Sequence, residues 1–78
     1  GAVSREVPMR YEEIVELLSW AGNQDRAVRV VTAGRGELVG VPTTIDTHVT
    51  AHEAWLRPLD GDTEIAVSLG EIREVELL

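Results

Sequence analysis

The residues of this 78-residue chain that could do chemistry are gathered at positions 46–55, DTHVTAHEAW. His48 and His52 stand four apart, with carboxylates at Asp46 and Glu53. That spacing would set two imidazoles on one face of a helix, as in the His-Glu-x-x-His sites that hold catalytic zinc. Glu53 does follow His52, but position 56 is leucine and the motif fails. The intervening Val-Thr-Ala is a weak helix former, and no third nitrogen or sulfur ligand is at hand. The segment therefore reads as a polar loop leading into a strand, and neither a metal nor another cofactor is expected.

Nucleophilic catalysis has as little to work with. There is no cysteine and no lysine, and the serines are Ser4, Ser19 and Ser68. Ser4 falls in the first residues, Ser19 in a helical pattern, and Ser68 on the outward side of a strand. A triad needs nucleophile, base and orienting acid to converge in a cleft, which a filled small domain does not offer. No enzymatic activity is expected.

Composition narrows the remaining classes. At 44% hydrophobic but only 4% aromatic, with no phenylalanine, the core must be built from Val, Leu, Ile and Ala. So short a chain forms one core and one domain. Fourteen carboxylates against seven arginines give a net charge of −7. The arginines are scattered and mostly close to acidic residues, unlike the clustered cations of a phosphate-tracking surface. An acidic surface suits solubility or a basic protein partner. Arginine to the exclusion of lysine, beside abundant Val, Gly and Ala, points to a GC-rich bacterial genome. With no apolar run long enough for a membrane span and no signal-peptide core, a cytoplasmic location is the default expectation. Residues 1–8 read as a flexible leader or a remnant of cloning, and 9–78 as the single domain.

The elements that would position these residues follow from periodicity. Over 9–21, Tyr11, Ile14, Val15 and Leu18 recur at i, i+3, i+4 and i+7. This predicts an amphipathic helix packing through Tyr11, Ile14, Leu17 and Leu18, with Pro8 before it and Gly22 and Asn23 ending it. The period then changes to two. Strands are expected over 26–33, from Glu37 through Asp46, over 52–59 and over 63–69. Tight turns fall at 34–36 and 60–62, a single turn of tight helix at 70–72, and a last strand over 73–78 with Val75 and Leu77 aligned. Gly40 and Pro42 inside the second strand require it to bend. One helix and five short strands, the second sharply bent, give a mainly β fold with an N-terminal helix, a strongly bent small barrel.

This order resembles the Sm-like, SH3-type small barrel. Within that group, GRGELVGVPTTIDT at 34–47 and EAWLRPLDGDTEIAVSLGEIREV at 53–75 are similar to the bacterial Rho-inhibitor (Rof-like) family. The resemblance covers roughly residues 11–78. It implies an acidic barrel that docks on the transcription terminator Rho and blocks its RNA site. Ring-forming Sm proteins instead pair an Asp with a nearby Asn after strand two and carry Arg-Gly before strand five. Here Asp46 lacks the Asn and Arg73 is followed by Glu74, so an Sm-like RNA-binding or assembly subunit is the second reading.

Two sets of residues are candidates for partner binding. Glu12, Glu13 and Glu16 share the helix face opposite the apolar one, where folding does not need them. They form either a solvated face or an acidic docking surface. Trp20 and Trp55 are first read as core, Trp20 lidding one end of the barrel and Trp55 packing beneath the helix. Alternatively Trp55, opposite Ala54 and Leu56 and beside Arg57, is a binding anchor, since Trp and Arg are favoured at hot spots. The expected partner is a basic protein surface, with Rho implied by the resemblance, and the expected state is a monomer or small homo-oligomer.

Overall fold

The computed structural model describes residues 9–78, so the leader, Ser4 and Pro8 lie outside the described residues. The chain forms α1 (Tyr11–Asn23), β1 (Val28–Thr32), β2 (Glu37–Asp46), β3 (Glu53–Pro58), β4 (Ile65–Ser68), a 3-10 turn at Leu69–Glu71, and β5 (Ile72–Leu77). All neighbouring strands pair antiparallel in one sheet of order β4-β3-β2-β1-β5. The sheet is strongly bent and does not close into a ladder between β4 and β5. No helix among the described residues is long and apolar enough to cross a membrane.

The bend lies where Gly40 and Pro42 require it. The first part of β2 pairs with β1 and the remainder with β3, and Gly40 is in register with Val28 on one side and Pro58 on the other. A Cβ on Gly40 would stand 2.6 Å from the Arg57 carbonyl oxygen, so only glycine fits. The register with β3 then slips between Pro42 and Thr44. This bulge at Thr43 turns the strand where the Pro42 nitrogen offers no donor.

The core is aliphatic throughout. Ile14, Leu18 and Ala21 of α1 pack with Val28, Val30, Ala54, Leu56, Val67, Leu69, Ile72 and Val75. Strict alternation holds in β1 and β3, where Val28, Val30, Thr32, Ala54 and Leu56 point inward. In β5 the inward residues are Ile72 and Val75, because the pairing with β1 shifts register between Val31 and Thr32. Leu77, expected in line with Val75, lies at the strand end beyond the core and is 37% exposed.

The helix is displaced from the expected 9–21, running over Tyr11–Asn23. Glu13 reaches back so that its carboxylate accepts the Arg10 backbone N–H at 3.0 Å, closing the first turn. At the other end Gly22 and Asn23 belong to the helix rather than ending it. Asp25 takes the left-handed conformation (φ 55°) instead. Its N–H bonds to Gly22 O, and the Arg26 N–H to Ala21 O, the two bonds of a Schellman motif. Gly22 has another reason to be glycine: a Cβ there would meet the Pro42 carbonyl oxygen at 2.9 Å. The inward face is also narrower than the periodicity predicts. Leu17 is half-buried, and Tyr11 is 41% exposed. Trp20 does not lid the barrel but projects outward, 45% exposed, because Ala21 takes the inward position beside it.

Two substitutions test the docking of α1. Leu18 is fully buried, and Leu18→Ala should cost about 2 to 4 kcal/mol by urea denaturation. Gly22→Ala raises intrinsic helix propensity by about 1 kcal/mol, yet it should destabilise the protein because the added methyl strikes Pro42. A more stable Gly22→Ala variant would remove that close approach.

Candidate protein-interaction site

With Ile14, Leu18 and Ala21 turned into the core, the remaining circumference of α1 is set by helix geometry. Glu12, Glu13 and Glu16 are all exposed on the side away from the sheet. The structure thus brings these three candidates onto one element and one surface. Glu13 also has a structural task among the described residues, at the helix start.

Trp55 and Arg57 stand on the outward face of β3, which alternates with the buried Ala54 and Leu56. Trp55 does not pack beneath the helix. Its strand position pairs with Thr44 and Ala66, and the ring is half-buried on the outer sheet. Nearby, the Thr43 hydroxyl donates to Glu64 Oε1 at 2.7 Å, linking the β2 bulge to the start of β4. Arg57 donates to Asp25 Oδ1 at 3.1 Å and so reaches the end of α1 remote from the glutamates. From Glu16 to the last helical residue, Asn23, the axis already advances about 10 Å at 1.5 Å per residue. Helix glutamates and the Trp55–Arg57 pair are therefore two patches, not one.

The two histidines diverge. Asp46 Oδ1 accepts the His48 backbone N–H at 3.0 Å and faces His48 Nδ1 at 2.9 Å, forming a small turn at the end of β2. These hydrogen bonds, the backbone one foremost, hold the Asp46 carboxyl below the usual carboxylate range. His52 has a left-handed backbone (φ 48°) and stacks on Tyr11, ring centroids 5.4 Å apart and planes 8° from parallel. This contact explains why Tyr11 is not in the core: it clamps the start of α1 to the residue that precedes β3. Among the described residues no group of three or more His, Cys, Asp or Glu side chains could hold a metal ion. Ser19 lies in α1 and Ser68 ends β4.

Three arginines of the barrel are paired with carboxylates within the fold. Arg29 pairs with Glu37 and Glu76, Arg35 with Glu71 at 3.3 Å, and Arg57 with Asp25. Arg26 lies over the Trp20 indole and donates to the Leu78 carbonyl. Sequence reasoning missed a shallow groove on the outside of α1, lined by Met9, Glu13, Glu16, Leu17 and Trp20. The signal was present in the spacing of Glu13, Leu17 and Trp20 at i, i+4 and i+7, but the apolar residues there were assigned to the core.

No family model matches the chain, and neither curated proteins nor solved structures give a match.

The Asp46 turn makes a checkable pH statement. Because the folded carboxyl is depressed, its contribution is complete above the unfolded-state value and is lost as pH falls through the folded one. Carboxyl-detected NMR titration should place the Asp46 midpoint below the usual aspartate value. His48→Ala should raise it only in part, since the backbone N–H remains. A midpoint at or above the usual value would remove the turn.

Proposed function

We propose that this chain is a small acidic protein-interaction module, presenting the outer face of α1 to a basic protein surface in nucleic-acid machinery. The observation that carries this reading is an asymmetry of pairing. Arg29, Arg35 and Arg57 have carboxylate partners inside the fold, whereas no ion pair among the described residues involves Glu12, Glu13 or Glu16. These three carboxylates therefore share one exposed helix face with no paired cation among the described residues to offset their field. The net charge of −7 argues against direct nucleic-acid binding, because a phosphate-tracking surface needs clustered cations. The resemblance to the Rho-inhibitor family makes Rho the first partner to try. Trp55 and Arg57 form a second contact patch that a large partner could reach.

Charge of this kind acts mainly on encounter. Glu12, Glu13 and Glu16 changed together to Gln should slow association with Rho several-fold at low ionic strength and leave dissociation nearly unchanged. The difference should shrink as salt approaches about 0.15 M, where the screening length is about 8 Å. Glutamine at position 13 can still close the first helical turn, so the variant should fold. An unchanged association rate in a folded variant would discard the acidic helix and shift attention to Trp55 and Arg57.

A further inference from the structure

Folding buries one face of α1 fully and the apolar residues at its border only in part. Met9 and Leu17, both half-buried, line the groove outside the helix together with Trp20, and Glu13 and Glu16 complete its lining. An indole 45% exposed to water adds little to a core that is otherwise aliphatic. Arg26 already places its guanidinium carbon 5.9 Å from the centroid of that indole. The ring thus sits within reach of a guanidinium in the fold itself. Neither Glu13 nor Glu16 has an ion-pair partner among the described residues, and the chain carries a net charge of −7.

We propose that this groove receives an arginine side chain from the partner protein. The inference rests on the reading that α1 faces a basic surface and adds to it a preference for one type of cation. The methylene stem of an arginine would lie along Met9 and Leu17, as long cationic side chains do on apolar surface. Its planar guanidinium would stack on the face of the Trp20 ring opposite Arg26 and donate to the Glu16 carboxylate, with Glu13 partly committed to the Arg10 N–H. Lysine has the charge but lacks the plane and the fork, and its ammonium is more strongly hydrated. Charge complementarity alone would not separate the two; the indole does.

Two capped peptides of equal length and charge serve as probes, one with arginines spaced by glycines and the other with lysines in their place. Each is titrated into the full chain at low salt, and the two indole N–H signals and the Leu17 methyls are followed by NMR. The arginine peptide should move the Trp20 signal but not that of Trp55, and bind about three- to fivefold more tightly than the lysine peptide. Trp20→Ala should erase this preference, and Trp20→Phe should keep part of it. Because Trp20 lies outside the buried core, both variants should keep the wild-type dispersion of amide signals. Equal binding of the two peptides, unaltered by Trp20→Ala but lost in the triple Gln variant, would overturn the groove and leave the acidic surface standing. Absence of binding by either peptide at millimolar concentration would also overturn the groove, while the association-rate test with Rho judges the acidic surface separately.

Discussion

The architecture depends on two places where backbone meets backbone with no room for a Cβ, both on the bend of β2. Gly40 lies against the Arg57 carbonyl of β3, and Gly22 of α1 lies against the Pro42 carbonyl two residues further along. The first contact lets one strand serve two neighbours, with Gly40 at the pivot between its pairing to β1 and to β3. The second fixes the distance and the rotation of the helix. With Gly22 against β2, Ile14, Leu18 and Ala21 must face the core, and Glu12, Glu16 and Trp20 are carried outward. The surface proposed to meet a partner is thus a consequence of how closely the helix can approach.

A bent sheet that does not close leaves two edge strands, and unpaired edges invite association. Side chains and single bonds occupy both. Thr32 Oγ1 donates to Gly36 O and accepts the Arg35 N–H, holding the β1–β2 turn, in which Gly36 is left-handed. From that turn Arg35 donates to the Ala66 carbonyl of β4 at 2.7 Å and pairs with Glu71 of the 3-10 turn, bridging the seam between the sheet ends. On β5, the Met9 N–H bonds to Arg73 O, and the Met9 sulfur accepts the Val75 N–H. These contacts favour docking through α1 over addition of another strand.

Much of the fold was legible because local signals agreed with one another. β2 starts and ends at the expected residues, since a β-branched run between a glycine turn and a polar loop leaves few alternatives. Its bend was announced by Gly40 and Pro42. The helix end was misread for a physical reason: Gly22 looked like a cap, but glycine was required there by a tertiary approach that no local pattern reveals. Size and spacing point Trp20 and Tyr11 toward the core, yet small aliphatics fill that space and the aromatic rings find Arg26 and His52 instead. Pairings such as Arg35 with Glu71 and Arg57 with Asp25 join residues far apart in the chain, so which arginines are held inside the fold could come only from the three-dimensional arrangement.

Close backbone approach at two glycines and an aliphatic core lead to one outward consequence, a helix whose carboxylates face outward and are proposed to meet a partner. The absence of lysine from the chain allows this to be read directly. Zero-length carbodiimide cross-linking joins carboxylates to amines, so amides formed between lysine side chains and this protein in a mixture with Rho report the partner's lysines. Peptide mass spectrometry should find those amides at Glu12 and Glu16. Cross-links confined to carboxylates of the outer sheet, such as Glu53 and Glu64, with Glu12 and Glu16 unmodified, would contradict docking through the helix.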